Sequence, residues 1–395
     1  MKIAIASWVN VSSLNDYFDH PVPKDLAHLG APATAVTNII KGLHELGHEI
    51  IVYTLDFRTE KRHIFKGERI TFIVEKERHR ARYKLWDGWK FETDQIAKLT
   101  HEFPADIYHA HWSYEYALGL IKAKVPHLIT FRDDSWEILK YFKDVYRLGK
   151  FNLDRRVRAK GENFSVNSMY LQQQLSGFRK QLPIVPNPVN PHCIQPKARP
   201  FPQHKTIKII SILTGFQKRK NPKKALEAFS HLKKIMVEDL EFHIYGSGFD
   251  QGQAGYEWAL AHQLTDKVTF HGYTPYDQLI AELPNYDLLF HPALEESFGN
   301  TLLEGMAFGI PVVAGQDAGA VPWVLAHGDA GQLVDVHDAK KMAEGIKSVL
   351  MNKEVYERLT HAGLARIHNT FATATIAQKY VDLYDKILKD IPLEV

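Results

Sequence analysis

Two carboxylates have the type and spacing to do chemistry together. Glu296 and Glu304 have seven residues between them in the stretch His291 to Gly319, HPALEESFGNTLLEGMAFGIPVVAGQDAG. Glu296 follows Glu295 and enters a turn with Ser297, Gly299 and Asn300, while Glu304 lies one turn inside the helix-like segment Thr301 to Phe308. A helix N-terminus offers unpaired N–H groups and the positive end of a dipole, which suits an anion such as a phosphate. Carboxylates flanking it suit the hydroxyls of a sugar or a ribose, and both could reach one ligand lying across that terminus. The plain alternative is two surface glutamates beside an ordinary loop, and the E-x7-E spacing alone does not decide between them.

The surrounding segments read as a strand–loop–helix–strand unit. The apolar run Tyr286 to Phe290 leads in as a buried strand. Gly309-Ile-Pro311 stops the helix, and Val312 to Ala314 is the next strand. The same alternation runs through the chain. Strands are expected at Lys2–Ser7, Glu49–Tyr53, Ile70–Val74, Ala105–His111, His127–Thr130, Phe164–Asn167 and Pro183–Val185, with helices between several of them. This argues for an α/β fold with a doubly wound parallel sheet. Gly30 falls on the loop joining the first strand to the first helix, where open α/β sheets bind ligands and a glycine lets backbone approach closely. A plain turn glycine fits there equally well. Six prolines between Pro186 and Pro202 mark a boundary, after which Lys208–Leu213 opens a second α/β run. The expected division is a domain over 1–190, a Pro-rich linker over 191–206, a second domain over 207–375, and a closing helix over 376–395 that packs back on the first.

Composition excludes several classes. The single cysteine, Cys193, rules out an internal disulfide and a cysteine metal cluster, and fits a reducing compartment. No apolar run approaches the length of a membrane span, and MKIAIASWVN reads as a strand and not a signal peptide, so a cytoplasmic location is expected. Residues 1–190 hold 28 Lys and Arg against 22 Asp and Glu, whereas residues 191–395 hold 21 against 24. The excess gathers between Arg58 and Lys90, beside Trp86 and Trp89, and again between Asp154 and Lys160. Peripheral contact with an anionic membrane at its inner face is one reading of this asymmetry, and a solvated surface is the other. No nucleic-acid motif accompanies the charge, so nucleic acid is not an expected partner.

With these landmarks in order, the chain resembles the GT4-type retaining glycosyltransferases of the GT-B fold. The matching pieces are Thr214-Gly215, Lys220-Asn221, Ile244-Tyr-Gly246-Ser-Gly248, Val268-Thr-Phe-His-Gly272, the stretch Pro292 to Val313, and Ala330-Gly331. Gly47-His48, Asp106 to His111 and Asn187-Pro188 look like the family in the first half. The resemblance implies two Rossmann-like domains facing each other across a cleft. The N-terminal domain would bind the acceptor and the C-terminal domain a nucleotide-sugar donor.

It also implies roles. Lys220 would hold the donor diphosphate, Glu296 the sugar hydroxyls and Glu304 the ribose. The backbone at Phe298, Gly299, Asn300 and Thr301 would meet the sugar and phosphates. Gly272 and Tyr273 would border the base, Gly246 would shape a turn near the nucleotide, and Gly30 would approach the donor from the first domain. The family usually has an arginine after Gly215, where Phe216 stands here, so Lys218 or Arg219 would supply that charge. A histidine the family often places after the Thr130 strand is Arg132 here, with His111 nearby; a core or rim histidine is the competing reading for His111. The implied activity is transfer of a hexosyl group from a nucleotide-diphosphate sugar to a saccharide or lipid-linked acceptor with retention, in bacterial polysaccharide or envelope glycan synthesis. No D-x-D triplet occurs, so neither a metal nor another cofactor is expected. A glycosyl phosphorylase on the same fold and a non-catalytic nucleotide-sugar-binding protein remain alternatives. A dinucleotide dehydrogenase is disfavoured, because G-x-G-x-x-G does not follow the first strand.

Overall fold

The computed structural model describes residues 1–393. It divides into two compact units, one of Met1–Pro188 with Thr373–Val395 and one of Val189–Ala372. The last two positions of the expected closing helix, 394 and 395, lie outside the described residues.

The first unit is built on β1 (Lys2–Ala6), β2 (Glu49–Asp56), β3 (His63–Gly67), β4 (Ile70–Lys76), β5 (Ile107–His111), β6 (His127–Phe131) and β7 (Phe164–Val166). The sheet order is β3-β4-β2-β1-β5-β6-β7. Every pairing is parallel except the edge strand β3, which runs antiparallel to β4. The second unit carries β8 (Thr206–Ile212), β9 (Asp239–Tyr245), β10 (Val268–Gly272), β11 (Leu288–His291), β12 (Val312–Gly315) and β13 (Gln332–Val334). Its order is β10-β9-β8-β11-β12-β13, wholly parallel. Without β3, both sheets follow the same order, 3-2-1-4-5-6 counted along each unit. That is the dinucleotide-binding order, with a switch point between the first and fourth strands where ligands bind.

Continuous apolar runs explain the central strands. Ile3–Ala6 and Val312–Ala314 are buried at every position, because helices cover both sheet faces. The helix Thr34–Glu45 buries Val36, Ile39, Ile40 and Leu43 along one stripe. The helix Thr373–Leu388 returns to the first unit, where Ile376, Ala377, Tyr380 and Tyr384 join the core made by β1, β2 and β4.

Several segments differ from the sequence expectation. Residues 183–185 form an isolated bridge, Ile184 to Val166, and not a strand, since proline on either side removes ladder donors. The proline-rich stretch does not run free as a linker. Val189 and Cys193 are buried in the core of the second unit, and Arg199 donates to the carbonyls of Tyr286 and Pro284. The helices Ala81–Asp87, Ser135–Phe142 and Val145–Lys160 are additional to the expected elements.

Candidate active site

The second unit brings its charged residues together at the switch point between β8 and β11. The loop leaving β8 ends in a short 3₁₀ turn, Lys218–Lys220, and Asn221 follows in the left-handed region at φ +54°. The Asn221 side chain donates to the carbonyls of Pro292 (3.1 Å) and Val336 (2.7 Å), which ties this turn to the loops after β11 and β13. Leu294 N–H donates to Arg219 O at 2.8 Å, so the two switch-point loops are bonded through backbone as well.

On this frame Lys220 Nζ donates to Glu296 Oε1, and His291 Nε2 lies 3.1 Å from the same oxygen. Thr301 Oγ1 is 3.2 Å from His291 Nδ1, which makes a chain from the helix Asn300–Ala307 through the histidine to the carboxylate. Arg219 Nη1 donates to the carbonyl (3.0 Å) and to Oε2 (3.1 Å) of Glu295, and sits 3.7 Å from Glu296 Oε2. Burial pushes the Glu296 carboxyl up, but Lys220, His291 and Arg219 together outweigh it and hold the group well below the usual carboxylate range. Glu295 goes the other way: burial raises it, and Arg219 opposes only part of the rise. Glu304 is raised by burial to about 7, and the Tyr276 hydroxyl opposes part of the rise. Two glutamates of one stretch thus differ in charge at neutral pH, one fixed as an anion and the other poised to gain or lose a proton.

The remaining expected residues of this unit fall around the same loops. Gly299 precedes the helix at φ +92°, and the Phe298 side chain is buried against Trp323 and Phe371, so only its backbone faces outward chemistry. Gly246, at φ +133°, passes so close to Leu213 that a Cβ would lie 1.6 Å from its carbonyl oxygen; the close approach requires glycine. Its N–H donates to Gly272 O at 2.7 Å, which joins the ends of β9 and β10. Tyr273 beside it is largely exposed. Gly215 begins the β8 loop at φ +78°, and Lys218 is exposed without an ion pair among the described residues. Phe216 does not leave a gap: it packs against Phe249 and Trp258, with the Lys223 ammonium 5.6 Å from its ring centroid.

Gly30, His111 and Arg132 belong to the first unit. Gly30 N–H donates to Asp56 Oδ2 at 2.6 Å, Arg58 donates to its carbonyl at 2.6 Å, and a Cβ there would meet the Val9 carbonyl oxygen at 1.8 Å. It lines a cavity of ≈ 540 Å³ whose walls include Trp8, Asp56, Arg58, Glu77 and Lys84. His111 ends β5, with Nδ1 accepting from Arg132 Nε at 3.1 Å, and its Nε2 is buried with no partner among the described residues. Burial holds His111 well below the usual imidazole range, and His109 and Arg132 add to the effect. Arg132 donates from Nη1 to Asn187 Oδ1 at 2.6 Å and stands over the Trp112 ring, with no carboxylate paired to it among the described residues. His109 bonds Tyr384 and Thr130, each at 2.7 Å, and reads as a satisfied core residue.

Sequence reasoning left His291, Glu295, Asn221 and Tyr276 without roles. The first two lie inside the stretch around Glu296, and the signal for His291 was its place at the end of the strand run. Asn221 follows Lys220 directly, and only the left-handed backbone shows what it does. Nothing in the sequence pointed to Tyr276.

Two dinucleotide-ordered sheets, one bearing a lysine–glutamate–histidine network at its switch point, define the GT-B class of glycosyltransferases. The chain belongs to the GT4 type: the model for glycosyl transferases group 1 matches residues 195–366, and that for glycosyltransferase family 4 matches residues 32–192. It is 23% identical to the N-acetyl-alpha-D-glucosaminyl L-malate synthase of Bacillus anthracis over 383 residues, 92% of this chain and 95% of that protein. Among solved structures, the sucrose-phosphate synthase of Thermosynechococcus elongatus superposes with a TM-score of 0.76 at 16% identity, covering 99% of this chain and 100% of the other. Anabaena HepE in complex with UDP gives 0.66 at 15% identity, covering 98% and 100%. Among the described residues no helix is long and apolar enough to cross a membrane.

Proposed function

We propose that the protein transfers a hexosyl group from a nucleoside diphosphate sugar to a saccharide or lipid-linked acceptor, with retention at the anomeric carbon and without an essential metal. The observation that carries the reading is the Lys220–Glu296–His291 network beside the N-terminus of the helix Asn300–Ala307. The reaction breaks the bond between the anomeric carbon and the diphosphate oxygen, and negative charge grows on the leaving diphosphate. Lys220, with Arg219 behind it and N–H groups near Gly299 and Asn300, would stabilise that charge; preorganised donors of this kind are worth roughly 3–4 kcal/mol each. Glu296 holds Lys220 in place and presents its second oxygen to a sugar hydroxyl. Glu304 accepts from ribose hydroxyls. The family resemblance would give Arg132 and His111 contacts to the transferring sugar or the acceptor. Without a separate carboxylate nucleophile, the acceptor hydroxyl oxygen would bond to the anomeric carbon on the face the diphosphate departs from, and its proton would pass to the leaving diphosphate oxygen. The UDP held by HepE supports a nucleoside diphosphate as the first ligand to try. The setting in bacterial polysaccharide or envelope glycan synthesis, on the cytoplasmic side, rests on the family resemblance alone.

Thermal shift with UDP, GDP, ADP and their sugars tests the donor reading, since a ligand that binds only the folded state raises the melting temperature. Glu304→Ala should lose the nucleotide-induced shift. Wild-type shift and wild-type donor turnover in both Glu304→Ala and Lys220→Ala would sink the site assignment. Turnover that survives chelation supports metal independence, and its abolition with recovery on adding Mg²⁺ or Mn²⁺ refutes it.

A further inference from the structure

We infer that the first unit docks on an anionic lipid bilayer through the paired faces of the helices Ala81–Asp87 and Val145–Lys160. The inference does not depend on the proposed reaction, because it uses none of the residues assigned to it.

Two observations carry it. The first is exposed apolar surface in one place. Trp86 is 92% exposed and Val145 68%, and Tyr83 and Leu148 are about half exposed. Leu85 from one helix with Gly88 just after it, and Val145 and Leu148 from the other, line a common groove of ≈ 200 Å³ together with Arg156, which donates to Gly88 O at 3.1 Å. Tyr83 and Trp86 are three residues apart and share a helix face. A tryptophan left almost wholly in water is costly unless something covers it, and its amphipathic ring suits the headgroup level of a bilayer.

The second observation is charge. Along Val145–Lys160 the exposed positions run from apolar at the start, Val145 and Leu148, to cationic at the end, Arg155, Arg156 and Lys160. The helix has one acid of its own, Asp154, and that is buried, accepting from Ser113, Ser135 and Arg158. Arg80 and Arg82 add exposed cations at the start of the other helix. Among the described residues Arg155, Arg156, Lys160 and Arg80 form no ion pair. The acids at the ends of these helices are Asp87, paired with Arg78, Asp144, paired with Arg147, and the exposed Glu162 beyond Lys160. A second copy of the chain placed on this face would set cation against cation, so self-association is disfavoured. A surface of anionic headgroups over an apolar layer matches both properties at once.

Cosedimentation of the full chain with phosphatidylglycerol-containing vesicles, against phosphatidylcholine vesicles, tests this. Binding is expected to the first and not the second, and should weaken strongly as salt rises from about 0.1 M to about 0.5 M. Arg155→Glu/Arg156→Glu should lower partitioning at least about 25-fold, at roughly fivefold for each cation removed. Trp86→Ala should lower it roughly tenfold. Both variants alter exposed side chains, so an unchanged melting temperature confirms that they fold. Absence of binding to anionic vesicles, binding indifferent to all three substitutions, or a concentration-dependent dimer that Trp86→Ala abolishes would each overturn the inference.

Discussion

The two switch points share a strand order and differ in how they handle charge. At β8/β11 two cations, Arg219 and Lys220, are matched by two carboxylates, Glu295 and Glu296, within the same unit. At β1/β5 and its neighbour β6, Arg132 is buried among neutral acceptors, His111 and Asn187, and burial lowers its own affinity for a proton. The adjacent Asp133 is raised by burial to about 7 and accepts from Tyr114, not from the arginine. One site therefore holds its charges preorganised and compensated. The other keeps a buried cation with no carboxylate paired to it among the described residues. Since a buried ion is tolerated mainly when paired, the second arrangement costs stability that function has to justify.

The largest test breaks the compensated side. Lys220→Ala should lower turnover about 10²–10³-fold by removing a cation aimed at the leaving group. It should also destabilise the chain by about 3–5 kcal/mol, because Glu296 is left ionised and buried. The double variant Lys220→Ala/Glu296→Gln separates the two effects: chemical denaturation should show much of the stability restored, while turnover stays low. Recovery of turnover in the double variant would show that Lys220 serves only to neutralise Glu296.

The matching change on the uncompensated side should behave oppositely. Arg132→Leu removes a buried cation that has no carboxylate partner among the described residues, so stability should hold or rise by about 1–2 kcal/mol, as when buried ions give way to apolar groups. Turnover should nonetheless fall at least about tenfold if Arg132 meets the transferring sugar or the acceptor. A fall in stability comparable to that of Lys220→Ala would erase the contrast between the two switch points.

Much of this contrast was legible in the sequence, and the rest was not, for physical reasons. The strand–loop–helix–strand unit around Glu296 announces itself by apolar runs and by Gly309-Ile-Pro311, and the observed helix Asn300–Ala307 is displaced by only one residue from the expected Thr301–Phe308. Lys220 and Glu296 were each assigned to the donor, but their mutual pairing was invisible, because 76 positions separate them and only the parallel pairing of β8 with β11 brings their loops together. The helix Val145–Lys160 was missed because its buried face includes Lys150 and Asp154, polar residues satisfied by partners far away in sequence, Glu115 and Ser113. A hydrophobic period cannot report a face built that way.

Within the second unit the sharper comparison is between its two glutamates. Glu304 binds its proton more tightly folded than unfolded, since burial raises it from 4.5 to about 7. Stability is therefore fullest below pH 4.5 and is lost as pH rises from there to about 7, by about 3 kcal/mol from this group. Glu296 has the opposite sign: its contribution is present above its ordinary value and is lost only when pH falls through its depressed folded value. Glu304→Gln should flatten the loss between pH 4.5 and 7 in denaturation curves and stabilise the chain at pH 8. In the wild type, ribose hydroxyls favour the ionised carboxylate, so nucleotide affinity should rise between about pH 6 and 8. The variant should bind more weakly and lose that dependence. Titration calorimetry at several pH values reads both, and a wild-type affinity flat with pH would remove Glu304 from the nucleotide.

The smallest effect tests whether Phe216 marks a missing charge. Family resemblance places an arginine there, and its absence would weaken the compensated site if the charge were needed. The structure gives the position other work. The ring packs edge-on to Phe249 and tilted against Trp258, 6.0 Å from each by centroid, within the core that also holds Phe242 and Phe290. Its backbone N–H lies so near Gly248 that a Cβ on that glycine would come within 3.3 Å. Arg219 and Lys220, three and four residues on, already supply two cations tied to the β11 loop. Phe216→Arg should therefore cost about 1–2 kcal/mol through lost aromatic packing, with Lys223 close enough to repel the new charge. Donor turnover should change by less than about threefold, since the added guanidinium starts on the side of the loop that faces Trp258. A gain of tenfold or more would mean that the network of Arg219 and Lys220 is short of one cation, and that the balance read at this switch point is incomplete.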